Sequence, residues 1–403
     1  MGTDRPRPQE HALFDLGRVE LQSGGVLPAA RLAYKTYGQL NAARDNAVLL
    51  PTFYTGTHLR NEGYFGAGRA IDPARHFVVS VNMLGNGWSS SPSNTPPPAG
   101  GRYFPDVTLH DNVRLQFLLL TEVLKVRRLA LVTGWSMGGC QTYQWGAQYP
   151  DMVDAILPFC ASAKTSPHNI VFLEGVKAAL QADAAWNDGA YESPPIRGLK
   201  AFARVYAGWA YSQTFFRERL HRRLGFETFE DLLVDWENDN LNWDANDLLA
   251  MLWSWQKADI SANSIYGGDF ARALAGISAR AILIPCSDDL YFPPEDNAIE
   301  ARHMRQAELR IFHSPWGHCA ASPGVEPAFD RFLDDAIHDL KDMVNVVGDE
   351  DAGMPGIASV ADETQDALGL FHAEIVGGFI KDDQFAFEMH RPGNGNRLTF
   401  TAR

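Results

Sequence analysis

Leu129-Ala130-Leu131-Val132-Thr133-Gly134-Trp135-Ser136-Met137-Gly138-Gly139 is the stretch that decides the fold. A short apolar run suited to a strand ends in a serine with glycine two positions before and two positions after it. That is the Gly-x-Ser-x-Gly nucleophile elbow, in which a strand turns sharply into a helix and holds its central serine in a strained conformation. Small residues at the flanking positions avoid clashes with neighbouring backbone. Cys140-Gln141-Thr142-Tyr143-Gln144-Trp145 continues with helix-compatible residues, so the strand, the turn and the helix are all present. Ser136 is the candidate nucleophile.

Outward from the elbow, β-rich apolar runs recur at 46–54, 76–84, 128–135, 154–161, 279–286 and 309–313, with helical patterns between them. Near-continuous apolar strands alternating with helices predict a parallel sheet covered on both faces, an α/β architecture. Segments 13–21 and 31–37 alternate more and precede any helix, which predicts an antiparallel edge. The interval 165–266 breaks the alternation and carries six of the ten tryptophans, Trp186, Trp209, Trp236, Trp243, Trp253 and Trp255. It reads as a helical insertion between core strands (165–266), placed to form a lid and an acyl pocket, although each ring taken singly is more simply a packing residue. The expected organisation is thus a core in two parts, 1–164 and 267–342, followed by an acidic linker and hairpin-like tail over 343–403. Thr95-Pro96-Pro97-Pro98-Ala99-Gly100-Gly101 must be a surface loop, since prolines and glycines continue neither helix nor central strand.

With 403 residues the chain buries a large core, and its net charge of −14 excludes a phosphate-tracking surface. The Arg217–Arg223 cluster reads as a solvated helix face. Four cysteines, Cys140, Cys160, Cys286 and Cys319, lack metal-ligand spacing and read as free buried thiols. The N-terminus has no signal-like apolar core and no run of eighteen apolar residues occurs, so neither a membrane nor nucleic acid is expected as partner and a cytoplasmic setting is.

A serine needs a base to take its proton and an acid to orient that base. Both are sought in loops after later strands, in the order serine, acid, histidine. The strand ending Ile284-Pro285-Cys286 runs into Ser287-Asp288-Asp289, which offers two carboxylates. Asp289 is chosen, because Pro293 stands four residues on, where the next helix commonly begins; Asp288 is its rival. The following strand runs through His313 into Ser314-Pro315-Trp316-Gly317-His318, and His318, just past the strand end, is the expected base. His313 and His303 read as structural. Two backbone amides should hold the oxyanion, one from Met137 and one from Thr52-Phe53-Tyr54-Thr55-Gly56, with Tyr54 preferred and Phe53 the alternative. A metal held by Asp288, Asp289 and His318 is disfavoured, as no paired histidines complete a first shell. No Walker or Rossmann glycine pattern occurs.

These residues are accompanied by Leu32-Ala33-Tyr34-Lys35-Thr36-Tyr37-Gly38, Asp45-Asn46-Ala47-Val48-Leu49, Thr55-Gly56, Asn82-Met83-Leu84-Gly85, Tyr149-Pro150-Asp151 and Asp244-Ala245-Asn246. Together they resemble the homoserine O-acetyltransferase-like branch of the α/β-hydrolase superfamily, over about residues 12–340. The resemblance implies an α/β-hydrolase fold with a helical lid. It also implies ping-pong acyl transfer, in which the serine takes an acetyl group from acetyl-CoA and passes it to homoserine. Two positions that such transferases use for the amino acid differ here. Cys319 follows His318 where they carry an aspartate for the substrate amine, and Ser212 follows Tyr211 where they carry an arginine for the carboxylate.

With both charges missing, the expected activity is hydrolysis of a small-molecule ester or amide with no cofactor, and Cys319, Tyr211 and Ser212 are the candidate substrate-binding residues. An acyl-CoA-dependent O-acyltransferase, with acyl-CoA as co-substrate, is the alternative, and a non-catalytic ligand-binding protein the minor one. A homodimer through the lid is compatible with the resemblance.

Overall fold

In the computed structural model, which describes residues 11–346, eight strands form one sheet in the order β1-β2-β4-β3-β5-β6-β7-β8. Their ranges are β1 Ala12–Glu20, β2 Val26–Tyr37, β3 Ala47–Pro51, β4 Phe77–Val81, β5 Leu129–Trp135, β6 Ala155–Phe159, β7 Arg280–Leu283 and β8 Ala307–Leu309. The first two strands are the antiparallel edge, β1 on β2 and β2 on β4, and the other pairs are parallel. The hairpin turn after β1 places Gly24 at φ 85° and lets β2 start five residues before the predicted Arg31.

Two strands are shorter than the apolar pattern suggests. β7 stops at Leu283 rather than Cys286 because Pro285 has no N–H to give the ladder. β8 ends at Leu309, beyond which only the isolated bridge Cys286–Phe312 continues the pairing, leaving His313 exposed at the sheet's end.

The helices are α1 Leu109–Leu118, α2 Met137–Gln148, α3 Pro167–Gln181, α4 Ile196–Ala210, α5 Gln213–Arg217, α6 Phe229–Asn240, α7 Ala245–Gln256, α8 Phe270–Ala275, α9 Pro294–His303 and α10 Pro327–Val346. Helices α3 to α7 occupy the predicted insertion between β6 and β7. Helix α10 extends a few residues into the predicted linker, and the rest of the expected tail lies outside the described residues. The period-2 alternation of the strands divides the core: Val48, Leu50 and Leu131 pack on one face with the insertion and α10. Leu49, Val79 and Val132 pack on the other with α1 and α2. The chain crosses from β4 past β3 to β5, so the carboxyl ends of β3 and β5 are adjacent at the point where strand order reverses, the usual ligand crevice of such sheets.

Helix α9 is tied to this core by a buried carboxyl. Glu300 accepts hydrogen bonds from the Ala163 N–H at 2.7 Å and from Asn297 Nδ2 at 2.7 Å. Burial pushes its pKa from 4.5 up to about 7, against the opposing effect of Tyr143, Asn297 and the Ala163 amide. Asp247, at the start of α7, is likewise raised to about 7 by burial, although Ser93 donates to it. Between the two pKa values the folded chain keeps a proton that the unfolded chain releases, so stability falls as pH rises from about 4.5 to about 7. For Glu300 alone the effect is on the order of 3 kcal/mol. The expected result is a Tm that drops between pH 5 and 8, with a shallower drop in Glu300→Gln; thermal melts across that range check it.

Candidate active site

Ser136 sits between β5 and α2 with φ 56° and ψ −128°, a conformation that costs a non-glycine residue of order 1–3 kcal/mol. Close packing holds it there. A Cβ on Gly134 would lie 2.6 Å from the Gly138 carbonyl carbon, and one on Gly138 would lie 2.6 Å from the Pro51 oxygen. Both flanking glycines are therefore required by sterics, and Gly138→Ala is expected to lose most activity and several degrees of Tm, read by ester assay and thermal melt. Helix α2 starts directly after the serine, so its positive dipole end faces the serine's surroundings.

His318 lies in the loop beyond β8 and Asp289 in the loop beyond β7, and the structure joins them. The Nδ1 of His318 is 2.7 Å from Asp289 Oδ2. The other carboxylate oxygen, Oδ1, accepts the N–H groups of Tyr291 at 2.8 Å and Phe292 at 3.1 Å, so the acid is fixed at both ends. Asp288 instead receives the Ser287 hydroxyl, and among the described residues it makes no hydrogen bond to the histidine. Trp135, the residue before Ser136, stacks on the His318 ring at 5.0 Å and 25°. Among the described residues neither His318 Nε2 nor Ser136 Oγ makes a hydrogen bond, to each other or to a third group, so both atoms are open to a substrate.

Beside the elbow, the loop after β3 is held by Gln141, whose Nε2 donates to the Thr52 carbonyl at 2.8 Å. Gln141 in turn accepts from Gln116 at 2.7 Å. Among the described residues the amides of Phe53, Tyr54 and Met137 donate to no protein group, so they remain available to a ligand oxygen. The Tyr54 side chain points away from that role: its hydroxyl donates to the Leu248 carbonyl at 3.1 Å and its ring stacks on Tyr206 at 5.6 Å.

Aromatic side chains of the acid loop flank the base, and rings of the insertion pack against them. Tyr291 and Phe292 flank His318 at 4.9 and 5.6 Å, and Trp255 packs on both of them. Tyr206 bridges Tyr54 and Tyr291. Sequence reading missed Tyr206, Tyr291 and Phe292; the two residues after the acid loop were the available signal. Of the tryptophans, Trp255 reaches the site, Trp236 packs against Tyr206 and Tyr211, and Trp209 packs against Phe172. The proline-rich stretch is a surface loop as expected, with Pro96, Pro97 and Pro98 exposed, and its end at Gly101 lines a separate cleft of about 490 Å³ with Trp186, Asn246 and Trp253.

The expected substrate-binding residues divide. Tyr211 and Cys319 meet, thiol beside hydroxyl, and burial pushes the Cys319 thiol up to about 12. Ser212 does not face this pair as a ligand group. It caps α5, accepting the Phe215 N–H at 2.9 Å, and its hydroxyl donates to the Pro315 carbonyl. Its polar capacity is spent inside the protein.

The sulfur of Cys160 lies in one group with Asp289 and His318, their donor atoms within 4.8 Å of one another. Asp289 and His318 are committed to each other, and burial holds the Cys160 thiol protonated, so this set suits a shared proton better than a cation. All four cysteines are free and buried. A disulfide-exchange reagent is expected to titrate none of them in the native protein and four after denaturation.

Residues 48–321 match the alpha/beta hydrolase fold family. The chain belongs to that family. Among its α/β-hydrolase relatives is an ethyl acetate hydrolase from Pseudomonas veronii, 38% identical over 311 residues that make up 76% of this chain and 88% of that protein. A homoserine O-acetyltransferase from Chloroherpeton thalassium is 33% identical over 314 residues, 74% of this chain and 82% of its own. The solved structure of the acetyl esterase MekB superposes with a TM-score of 0.80 at 36% identity, covering 82% of this chain and 96% of that one. The resemblance to the homoserine O-acetyltransferase-like branch is thus borne out, and the chain is an α/β-hydrolase-fold enzyme whose relatives are esterases and acetyltransferases. Among the described residues no helix is long and apolar enough to cross a membrane.

Proposed function

We propose that this enzyme hydrolyses short-chain esters, acetyl esters foremost, through an acyl-enzyme on Ser136. The observation that carries the reading is the Asp289–His318 hydrogen bond, with the histidine stacked on Trp135 next to Ser136 and an uncharged Cys319–Tyr211 pair beside the base. Supporting it, the relatives at higher identity are named for ethyl acetate and acetyl ester hydrolysis.

The steps follow from the groups present. His318 Nε2 takes the Ser136 proton as Oγ attacks the ester carbonyl carbon, while Asp289, bonded to Nδ1, orients the ring and stabilises its positive charge. The amides of Met137 and of Tyr54, or of Phe53, donate to the oxygen that becomes negative. Each such donor is worth roughly 3 to 4 kcal/mol of barrier. The imidazolium returns the proton to the leaving alcohol. Water then repeats the sequence on the acyl-serine, so no cofactor is needed. Tyr54, Tyr206 and Trp255 pack their rings together, apolar surroundings that suit a small acyl group, and the reduced thiols suit a cytoplasmic setting.

Transfer to homoserine would need groups for its amine and carboxylate, and the positions resembling those anchors hold an uncharged thiol and a spent hydroxyl. The test is a chromogenic acetate ester assayed alone and with acetyl-CoA plus homoserine. Ester cleavage that ignores homoserine is the expected result, with octanoate esters turned over far more slowly. Homoserine-dependent release of free CoA would show the transferase instead.

A further inference from the structure

The loop that carries His318 is fastened to the helical insertion at one small corner. Ser212, between α4 and α5, is 2% exposed, and its hydroxyl donates to the Pro315 carbonyl three residues before the histidine. The same oxygen accepts the Phe215 N–H at 2.9 Å, which fixes its rotamer. The next contact is backbone on backbone. Gly317 has φ +63°, and a Cβ there would lie 2.7 Å from the Ser212 nitrogen and 3.1 Å from the Tyr211 carbonyl carbon. Between them, Trp316 packs its ring 5.3 Å from Phe215 and lies under the Arg223 guanidinium at 5.2 Å. From the sheet side, the loop is tied by the Ser314 N–H to Ser287 Oγ at 3.2 Å and by the Ser314 hydroxyl to Glu326.

We propose that Ser212 is a positioning residue for His318: its hydroxyl holds Pro315, and through it Gly317 and the base, in the register that meets both Asp289 and Ser136. The inference deepens the proposed function and rests on that reading of the three groups. The physical reason is distance tolerance. A base must sit within hydrogen-bond reach of the serine proton, and a misplacement of about 1 Å can cost 10²-fold in rate. Asp289 restrains the ring at Nδ1, yet it cannot set the backbone from which the ring projects; the contacts at 314, 315 and 317 do.

The test compares Ser212→Ala, Ser212→Gly and Ser212→Thr with the parent enzyme on a chromogenic acetate ester, with Ser136 labelling by a fluorophosphonate as a second readout. Alanine is expected to lower kcat about 10-fold with KM within twofold, and to slow labelling in parallel, because both need the base in place. Threonine, which restores the donor, is expected to recover most of the loss. Should the alanine variant not fold, glycine, an acceptable N-cap, gives the same comparison.

The assignment is overturned if folded Ser212→Ala or Ser212→Gly keeps kcat within twofold of the parent. It is equally overturned if threonine leaves the loss unrepaired, since then packing rather than the hydroxyl matters. Failure of the underlying catalytic reading shows elsewhere: the parent enzyme itself would resist the probe at Ser136, and the Ser212 assignment would fall with it.

Discussion

Ser136→Ala is expected to lower ester turnover by at least about 10⁴-fold with the fold retained. Alanine removes the attacking oxygen and leaves the Asp289–His318 pair and the free amides of Met137 and Tyr54 in place. What remains is the modest acceleration that donors and binding supply without a nucleophile. The strained backbone at φ 56° adds a second expectation. Alanine keeps that strain, whereas Ser136→Gly relieves it and is expected to raise Tm while being equally inactive. Steady-state kinetics with an active-site probe, beside thermal melts, reads both effects. Retention of more than a tenth of parental activity in either variant would remove Ser136 from the chemistry.

Asp289→Asn is expected to cost about 10⁴-fold in kcat, comparable with loss of the orienting acid in other serine triads. The asymmetry of its contacts explains the size. One oxygen accepts two backbone N–H groups and the other accepts from His318 Nδ1, so an amide NH₂ either faces two donors or makes Nδ1 an acceptor, which moves the ring proton to Nε2 and removes the base. Asp288→Asn changes only a contact with Ser287 and is expected to stay within a few-fold of the parent. Comparable losses in the two variants would mean that the acid assignment is wrong.

The neighbouring carboxylates show how far the sequence carries. Adjacent residues at a strand end are equivalent in composition and pattern, and the choice between them rested on the distance to Pro293. In the structure Pro293 is the N-cap residue of α9, which begins at Pro294, so the helix start was legible. Which carboxylate faces the base follows from a turn in which the Asp289 side chain collects the amides of Tyr291 and Phe292. The elbow was legible for the opposite reason. Its signature lies within five residues, Gly134 to Gly138; Gly134 is required by the neighbouring Gly138 carbonyl, and Gly138 by the Pro51 oxygen of the adjacent strand.

Ser212 carries two signals. It resembles a family position that binds a carboxylate, which points to substrate contact, and a serine directly before a helical run is also a strong N-cap signal. The structure favours the cap because the first turn of α5 needs an acceptor and Pro315 offers a carbonyl within reach.

Local covalent and steric rules thus made the elbow, the alternating sheet and the helical insertion readable from the chain alone, since each depends mainly on residues close in sequence, and the order serine, acid, histidine was readable from the succession of strand-end loops. Tertiary structure alone decided which carboxylate holds His318, that Tyr206, Tyr291 and Trp255 roof the site, and that Ser212 serves the histidine loop. Those pairings join residues up to about a hundred positions apart, such as Ser212 and Pro315. Their energies depend on distances of a few ångströms that only the packed core sets.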